Sequence, residues 1–288
     1  MKQRGKRLLS LLLVMALLFG SFVSVGPGVI KADAASDPSL EGIHYTENSK
    51  GEVTITGCDK NTSGTIDLCE IFKGKKVIGI KALKNSNITR LVIPTTCQRI
   101  GDMAFYSTNT SMLSVTFKHV EGFTDATDMT VGEMAFRACD SLSTVTLPDW
   151  TSSIGAEAFS GDKMLSNFKI PSKCKEIGNQ AFYGCRSLKE LTIPAGCTSI
   201  GTSAFGCSTL GMSSDWMLLE KVTFASENEI TSLPDNVFNG CHKLKEINLP
   251  DNIETIGSQA FGNCSSLASI VIPKACAEIQ EQAFNGCS

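Results

Sequence analysis

Aligned on one dipeptide, the chain repeats itself. Phenylalanines at 105, 136, 159, 182, 205, 238, 261 and 284 stand at intervals of 31, 23, 23, 23, 33, 23 and 23. Seven of the eight follow an alanine; the sixth follows Val237. A fixed period between about 20 and 50 residues is the mark of stacked supersecondary units. A unit this short cannot bury its own apolar face, so its core is completed by the neighbours it stacks on. The repeat therefore points to a solenoid.

Between the phenylalanines runs a second pattern, L-x-x-[LIVF]-x-[ILF]-P. Examples are Leu188 with Leu191-Thr192-Ile193-Pro194, and Leu244 with Ile247-Asn248-Leu249-Pro250. The final residues alternate apolar and polar, which is the period of a strand with one buried face. Proline fixes φ and removes a donor, so each strand is expected to end there. The A-F-x-G-C segment is too short for a lasting helix and reads as a single turn or 3₁₀ turn with Ala and Phe inward. Strands of successive units then pair in parallel, about 4.8 Å apart.

With L-x-x-L-x-I, the 23-residue period and the added IP-x-x-[VC]-x-x-IG-x-x-AF-x-G-C, the chain resembles the BspA-type leucine-rich repeats of bacterial surface proteins. The pattern covers about residues 77–288. It lacks the Asn that follows the strand in the commonest leucine-rich repeats; Ala195-Gly196 or Asp251-Asn252 stand there. The resemblance implies a β-rich solenoid, with short parallel strands on the concave face and short turns or 3₁₀ segments on the convex face. It also implies an exported protein that adheres to proteins of host or neighbouring cells, or a cell-surface scaffold.

Residues 1–34 read as a secretory signal peptide rather than a retained anchor. Lys2, Arg4, Lys6 and Arg7 precede an apolar stretch, and Ala32-Asp33-Ala34 forms a small-residue cleavage site. No later segment is long and apolar enough to span a bilayer. The leader holds five of the 26 basic residues and one of the 29 acidic ones, so the mature chain carries 21 against 28 and a charge near −7. Such a surface does not invite nucleic acid. Residues 35–76 do not repeat and read as an N-terminal cap, a β-hairpin about an Asn61-Thr62-Ser63-Gly64 turn; residues 77–288 form the solenoid. The last residues, Asn285 to Ser288, stop inside a repeat, which suggests that the sequence is a piece of a longer chain.

Two units carry insertions, eight extra residues mostly in Lys118–Thr130 and ten mostly in Ser208–Leu219. Insertions map to loops and often carry function. Phe123, Met212 and Trp216 are the candidate exposed anchors.

The chemistry that an enzyme needs is not apparent. The three histidines, His44, His119 and His242, are scattered and read as solvated surface residues. There is no G-x-S-x-G, H-E-x-x-H or phosphate-binding glycine loop, and no cofactor is expected. Of the twelve cysteines, nine fall into register. Cys139, Cys185, Cys241, Cys264 and Cys287 follow the Phe by three residues; Cys97, Cys174, Cys197 and Cys276 follow a proline by three. Both sets read as buried, unpaired thiols. Cys58 and Cys69 flank the expected hairpin turn and are the best candidates for a disulfide in an exported chain.

The remaining candidate site is the outward strand face: Arg90, Val92, Thr116, Thr144, Thr146, Asn167, Lys169, Glu190, Thr192, Lys221, Thr223, Glu246 and Asn248. It is small, polar and mixed in charge, without an aromatic platform. The expected function is non-catalytic binding of a protein partner. The alternative is a targeting arm for an exported hydrolase or peptidase encoded after residue 288.

Overall fold

The computed structural model describes residues 42–84, 86–106, 111–207 and 217–288. The signal peptide expected over residues 1–34 lies outside them. From Ser36 onward the chain is one compact unit.

Most repeats contribute two strands, one more than the pattern advertises; the segments around Phe168 and Val271 form no named strand. The L-x-x-L-x-I segments form the first ladder. Ser63–Asp67, Asn87–Pro94, Ser114–Lys118 and Thr144–Val145 pair in parallel, and Glu190–Ile193, Lys221–Phe224 and Glu246–Asn248 form another parallel run. Leu91, Val115, Val145, Leu191 and Val222 are its inward residues and are buried. Between the two runs only an isolated Thr144–Asn167 bridge survives. There the inward residue is Phe168, whose ring wedges against Phe159 and Phe182 at 5.0 and 4.9 Å. A ring needs more room than Leu or Val, and it holds this strand out of line.

The second ladder lies where only a turn was expected. Arg99–Ile100, Met129–Val131, Thr151–Ile154, Glu176–Ile177 and Ser199–Ile200 pair in parallel behind Lys76–Ile80. Ser232–Leu233, Thr255–Ile256 and Glu278–Ile279 make a separate run. The glycine that follows Ile100, Val131, Ile154, Ile177, Ile200 and Ile256 explains both the closeness and the gap. Its N–H donates to the isoleucine carbonyl one unit back, as Gly178 does to Ile154 at 2.8 Å and Gly201 to Ile177 at 2.7 Å. In the unit of Phe238 that glycine is replaced by Pro234. Proline has no N–H to give, and the ladder is split at that unit.

The A-F segment is a hydrogen-bonded turn that supplies a third line of pairing. The N–H of Phe182 reaches the carbonyl of Ala204 at 2.8 Å, and that of Phe205 the carbonyl of Val237 at 3.0 Å. The residue before each Ala or Val adopts left-handed backbone, φ between 50 and 58° from Met103 to Gln282, although none of the eight is glycine. Its N–H also reaches the next unit, as Gln180 does to Thr202 at 2.9 Å. Such backbone costs roughly 1 kcal/mol or more per residue outside glycine, and this stacking bond offsets it.

Inside, the eight phenylalanine rings form one continuous pile. Successive centroids lie 4.8 to 5.7 Å apart and the planes tilt by 3 to 20°. Leu83 begins the column one unit earlier: its N–H donates to Ala104 at 2.8 Å, as that of Phe105 does to Ala135 at 2.7 Å. The sequence reading missed this unit because Leu stands for Phe.

An N-terminal hairpin is present, but not where it was expected. Ile43–Glu47 pairs antiparallel with Glu52–Cys58 around the turn Asn48–Gly51. The Asn61–Gly64 turn does not close a hairpin. The chain there crosses from the second ladder to the first, where Ser63–Asp67 pairs with Asn87–Pro94. The loop Asn48 side chain accepts from the N–H groups of Lys50 and Glu52 at 2.9 and 3.0 Å, which fixes the true turn.

Candidate interaction face

The outward positions of the first ladder lie in register, strand after strand. Arg90 is aligned with Ser114 and Thr144, and Val92 with Thr116. Glu190, Lys221 and Glu246 form one row; Thr192, Thr223 and Asn248 form the next. Arg90, Thr116, Thr146, Asn167, Lys169, Glu190, Thr192, Lys221, Glu246 and Asn248 are exposed; Val92, Thr144 and Thr223 are half-buried. The two runs of the ladder thus align Arg90, Val92, Thr116 and Thr144 in one set and Glu190, Thr192, Lys221, Thr223, Glu246 and Asn248 in another, whereas Thr146 and Lys169 lie outside the paired strands and Asn167 makes only the isolated bridge.

Its charges are partly neutralised within the face. Lys221 Nζ lies 2.8 Å from Glu246, and Lys169 Nζ lies 3.5 Å from Asp149. The Lys221–Glu246 hydrogen bond raises the lysine pKa and lowers that of the carboxyl. A shallow trough of about 480 Å³ runs over Lys221, Thr223, Glu246 and Asn248. A wider one, about 710 Å³, opens beyond the strand ends against Glu227, Glu229, Asp251 and Asn252. Asn228 props up its rim: its side chain is buried, donates to the Pro194 carbonyl at 2.7 Å and accepts from Ile230 N at 3.0 Å.

Of the loop anchors, Phe123 is half-buried in the first insertion, and Met212 and Trp216 lie outside the described residues. The first insertion is pinned by a cluster that the sequence did not reveal. Asp125 accepts from the Thr95 hydroxyl and sits 2.7 Å from His119 Nδ1. Both contacts lower the Asp125 pKa, the Thr95 hydrogen bond foremost. The carboxylate lies between hydroxyl and imidazole, so histidine is not the base beside the hydroxyl that nucleophilic catalysis needs. The cluster is a clip, and His119 is tethered rather than simply solvated. His44 is likewise held, 2.8 Å from Asp59. Among the described residues, no group of three or more His, Cys, Asp or Glu side chains is placed to hold a metal ion. Nor is any helix among them long and apolar enough to cross a membrane.

The cysteines form two columns, and none of the twelve is in a disulfide. The pairing expected for Cys58 and Cys69 is corrected. Cys58 ends a second-ladder strand and its thiol faces the Lys84 carbonyl at 3.6 Å. Cys69 sits in the one-turn helix Leu68–Ile71, after the first-ladder strand, and faces the Lys118 carbonyl at 3.9 Å. The two thus belong to opposite sides of the coil. In the Phe column, each thiol donates to the phenylalanine carbonyl of the unit before: Cys139 to Phe105, Cys185 to Phe159, Cys241 to Phe205, Cys264 to Phe238 and Cys287 to Phe261, at 3.0 to 3.4 Å. Burial pushes the Cys97 and Cys174 thiols up to about 12 and Cys197 to about 11. Thiolate is the reactive form, so these groups are chemically silent.

Maleimide labelling of the native protein at neutral pH is expected to spare the eight buried thiols, leaving only the half-buried Cys58, Cys207, Cys276 and Cys287 open to slow attack. Denaturant alone should expose the rest. Thiols that appear only after reductant is added would refute the unpaired columns.

Comparison with known proteins agrees with this geometry. The family model described as "BspA type Leucine rich repeat region" matches residues 124–214 and 214–288, in six copies. No curated protein matches the chain. Among solved structures, a leucine rich repeat protein of T. pallidum superposes with a TM-score of 0.53 at 20% identity, over 79% of this chain and 89% of that one. A leucine rich cell surface protein of Faecalibacterium prausnitzii A2-165 gives 0.39 at 24% identity, over 85% and 91%. The pneumococcal vaccine antigen PcpA gives 0.46 at 16% identity, over 85% and 78%. The first of these shows a shared fold. The family match spans more than half of the 288 residues, and the chain belongs to the BspA-type leucine rich repeat proteins.

Proposed function

We propose that this chain is an exported, cell-surface interaction module without chemistry of its own, and that the outward face from Arg90 to Asn248 docks a protein on host or neighbouring cells. The observation that supports the reading is the registered rows themselves: polar side chains aligned along two runs of parallel strands, Arg90 to Thr144 and Glu190 to Asn248. A rigid repeat face of this kind is an extended binding surface. It engages a partner by many modest contacts, so no single residue should dominate. The mixed charge, with Lys221 and Glu246 paired to each other, favours a partner that is itself polar and mixed rather than a strongly basic or acidic one.

The test is saturable binding of the labelled, secreted protein to intact cells, before and after the cells are shaved with protease. Shaving should abolish binding. A combined Thr192→Arg, Thr223→Arg, Asn248→Arg variant, with an unchanged circular dichroism spectrum, should bind at least tenfold more weakly. Binding that never saturates, or that the triple variant leaves intact, would sink the assignment of this face.

A further inference from the structure

Among the described positions from Phe136 onward, one breaks the thiol column. In the unit of Phe159 the residue three after the phenylalanine is Asp162, where the five units of Phe136, Phe182, Phe238, Phe261 and Phe284 hold cysteine. The substitution is not at the surface: Asp162 is 0% exposed. Its Oδ1 accepts from Cys139 N at 2.8 Å, while Oδ2 is buried without any hydrogen-bond partner. Units on either side show what this position does. The Cys139 thiol donates to Phe105 and the Cys185 thiol to Phe159, so register assigns the donor at position 162 to the Phe136 carbonyl. A carboxylate has no proton to give there.

We propose that Asp162 is carried as a neutral carboxylic acid whose Oδ2–H takes the place of the thiol donor, making the middle of the solenoid a proton-dependent joint. Packed against it are Cys139 of the unit before and Cys185 of the unit after, both neutral thiols raised by burial. The charge that acts on it is Asp140, of the same sign, and the nearby Lys163 is engaged by Asp140 at 3.0 Å. No cation therefore rewards ionisation. Burial, the largest influence, raises the Asp162 pKa well above its ordinary value. With the folded pKa above the unfolded one, stability is greatest below the unfolded pKa and is lost as pH rises toward the folded one. The joint is thus tight in acid and loosened in alkali.

The experiment compares urea unfolding of the wild-type chain with Asp162→Asn and Asp162→Cys from pH 5 to pH 8. Asparagine supplies an N–H donor and cysteine restores the column; neither titrates in the folded protein in that range. The unfolding constant of the wild type, divided by that of either variant, should rise about tenfold per pH unit above an unfolded pKa of about 4. A ratio that stays constant with pH would overturn the proposal. Should neither variant fold, carbon-13 NMR of the wild type decides it: the Asp162 Cγ resonance should not titrate below pH 6, and an ordinary midpoint near 4 would overturn the proposal.

Discussion

Gly178→Ala is expected to destabilise the protein by about 3 kcal/mol or more, at the upper end of what overpacking a core costs. A Cβ built at this position would lie 2.4 Å from Ala156 N, 2.6 Å from Gly155 C and 2.8 Å from Ala156 Cα. All three are backbone atoms of the unit before, so no flexible side chain can swing away. Relief would require the two units to separate, which stretches the Gly178–Ile154 hydrogen bond and the pile of rings beside it. Gly196→Ala is the matched control: its Cβ would meet nothing within 4 Å. It should stay within about 0.5 kcal/mol of the parent, or gain slightly by restricting the unfolded chain. Urea midpoints of the two variants measure the contrast. Equal effects would mean that these glycines are not kept for close approach. The slot holds a longer side chain in the first and last of these units, at Lys81 and Gln280, and proline in the unit of Phe238. Gln280 stands there in the unit of Phe284, whose second-ladder strand Glu278–Ile279 is paired on one side only, and its Oε1 accepts from Ser258 N at 3.1 Å.

The repeat, the inward phenylalanines and the first ladder were legible because they leave a periodic trace: Leu191 and Ile193 alternate with Thr192, and Phe182 returns every 23 residues. The second ladder was not, because strands such as Glu176–Ile177 are two residues long. A period of two has no room to show in two residues. The glycine in I-G is not the left-handed residue, for that backbone falls two residues later, on Gln180; Gly178 is there for its missing Cβ. By contrast Gly184, in A-F-x-G-C, does take positive φ, at 71°, so one residue type serves two purposes six residues apart. The hairpin was misplaced because Asn61–Gly64 and Asn48–Gly51 both offer turn residues, and the Asn48 side-chain bonds that fix the true turn are not visible in composition. The Asp125 clip joins residues 30 apart from Thr95, a contact that no local pattern encodes.

Phe182→Ala is expected to cost about 3–5 kcal/mol by removing a fully buried ring from the interior, with a further loss of about 0.5–1.5 kcal/mol for each aromatic contact broken. Phe182 is 1% exposed and touches three rings: Phe159 at 5.3 Å, Phe205 at 5.5 Å and Phe168 at 4.9 Å. Phe159 and Phe205 are held by the second ladder and by the backbone bonds of the A-F turns, and cannot collapse into the hole without tearing backbone pairs. In a solenoid, stability is a sum of unit terms and nearest-neighbour interfaces. A weakened interface in the middle should therefore do more than lower the melting temperature. It should uncouple the units before Phe182 from those after it, so that the calorimetric enthalpy exceeds the van't Hoff enthalpy. Phe284→Ala removes the same side chain from a half-buried site with one stacking neighbour, Phe261 at 5.3 Å. It should cost clearly less and leave the main transition cooperative. If the two variants melt alike, the ring pile is filler, and the coupling between units resides in the backbone ladders alone.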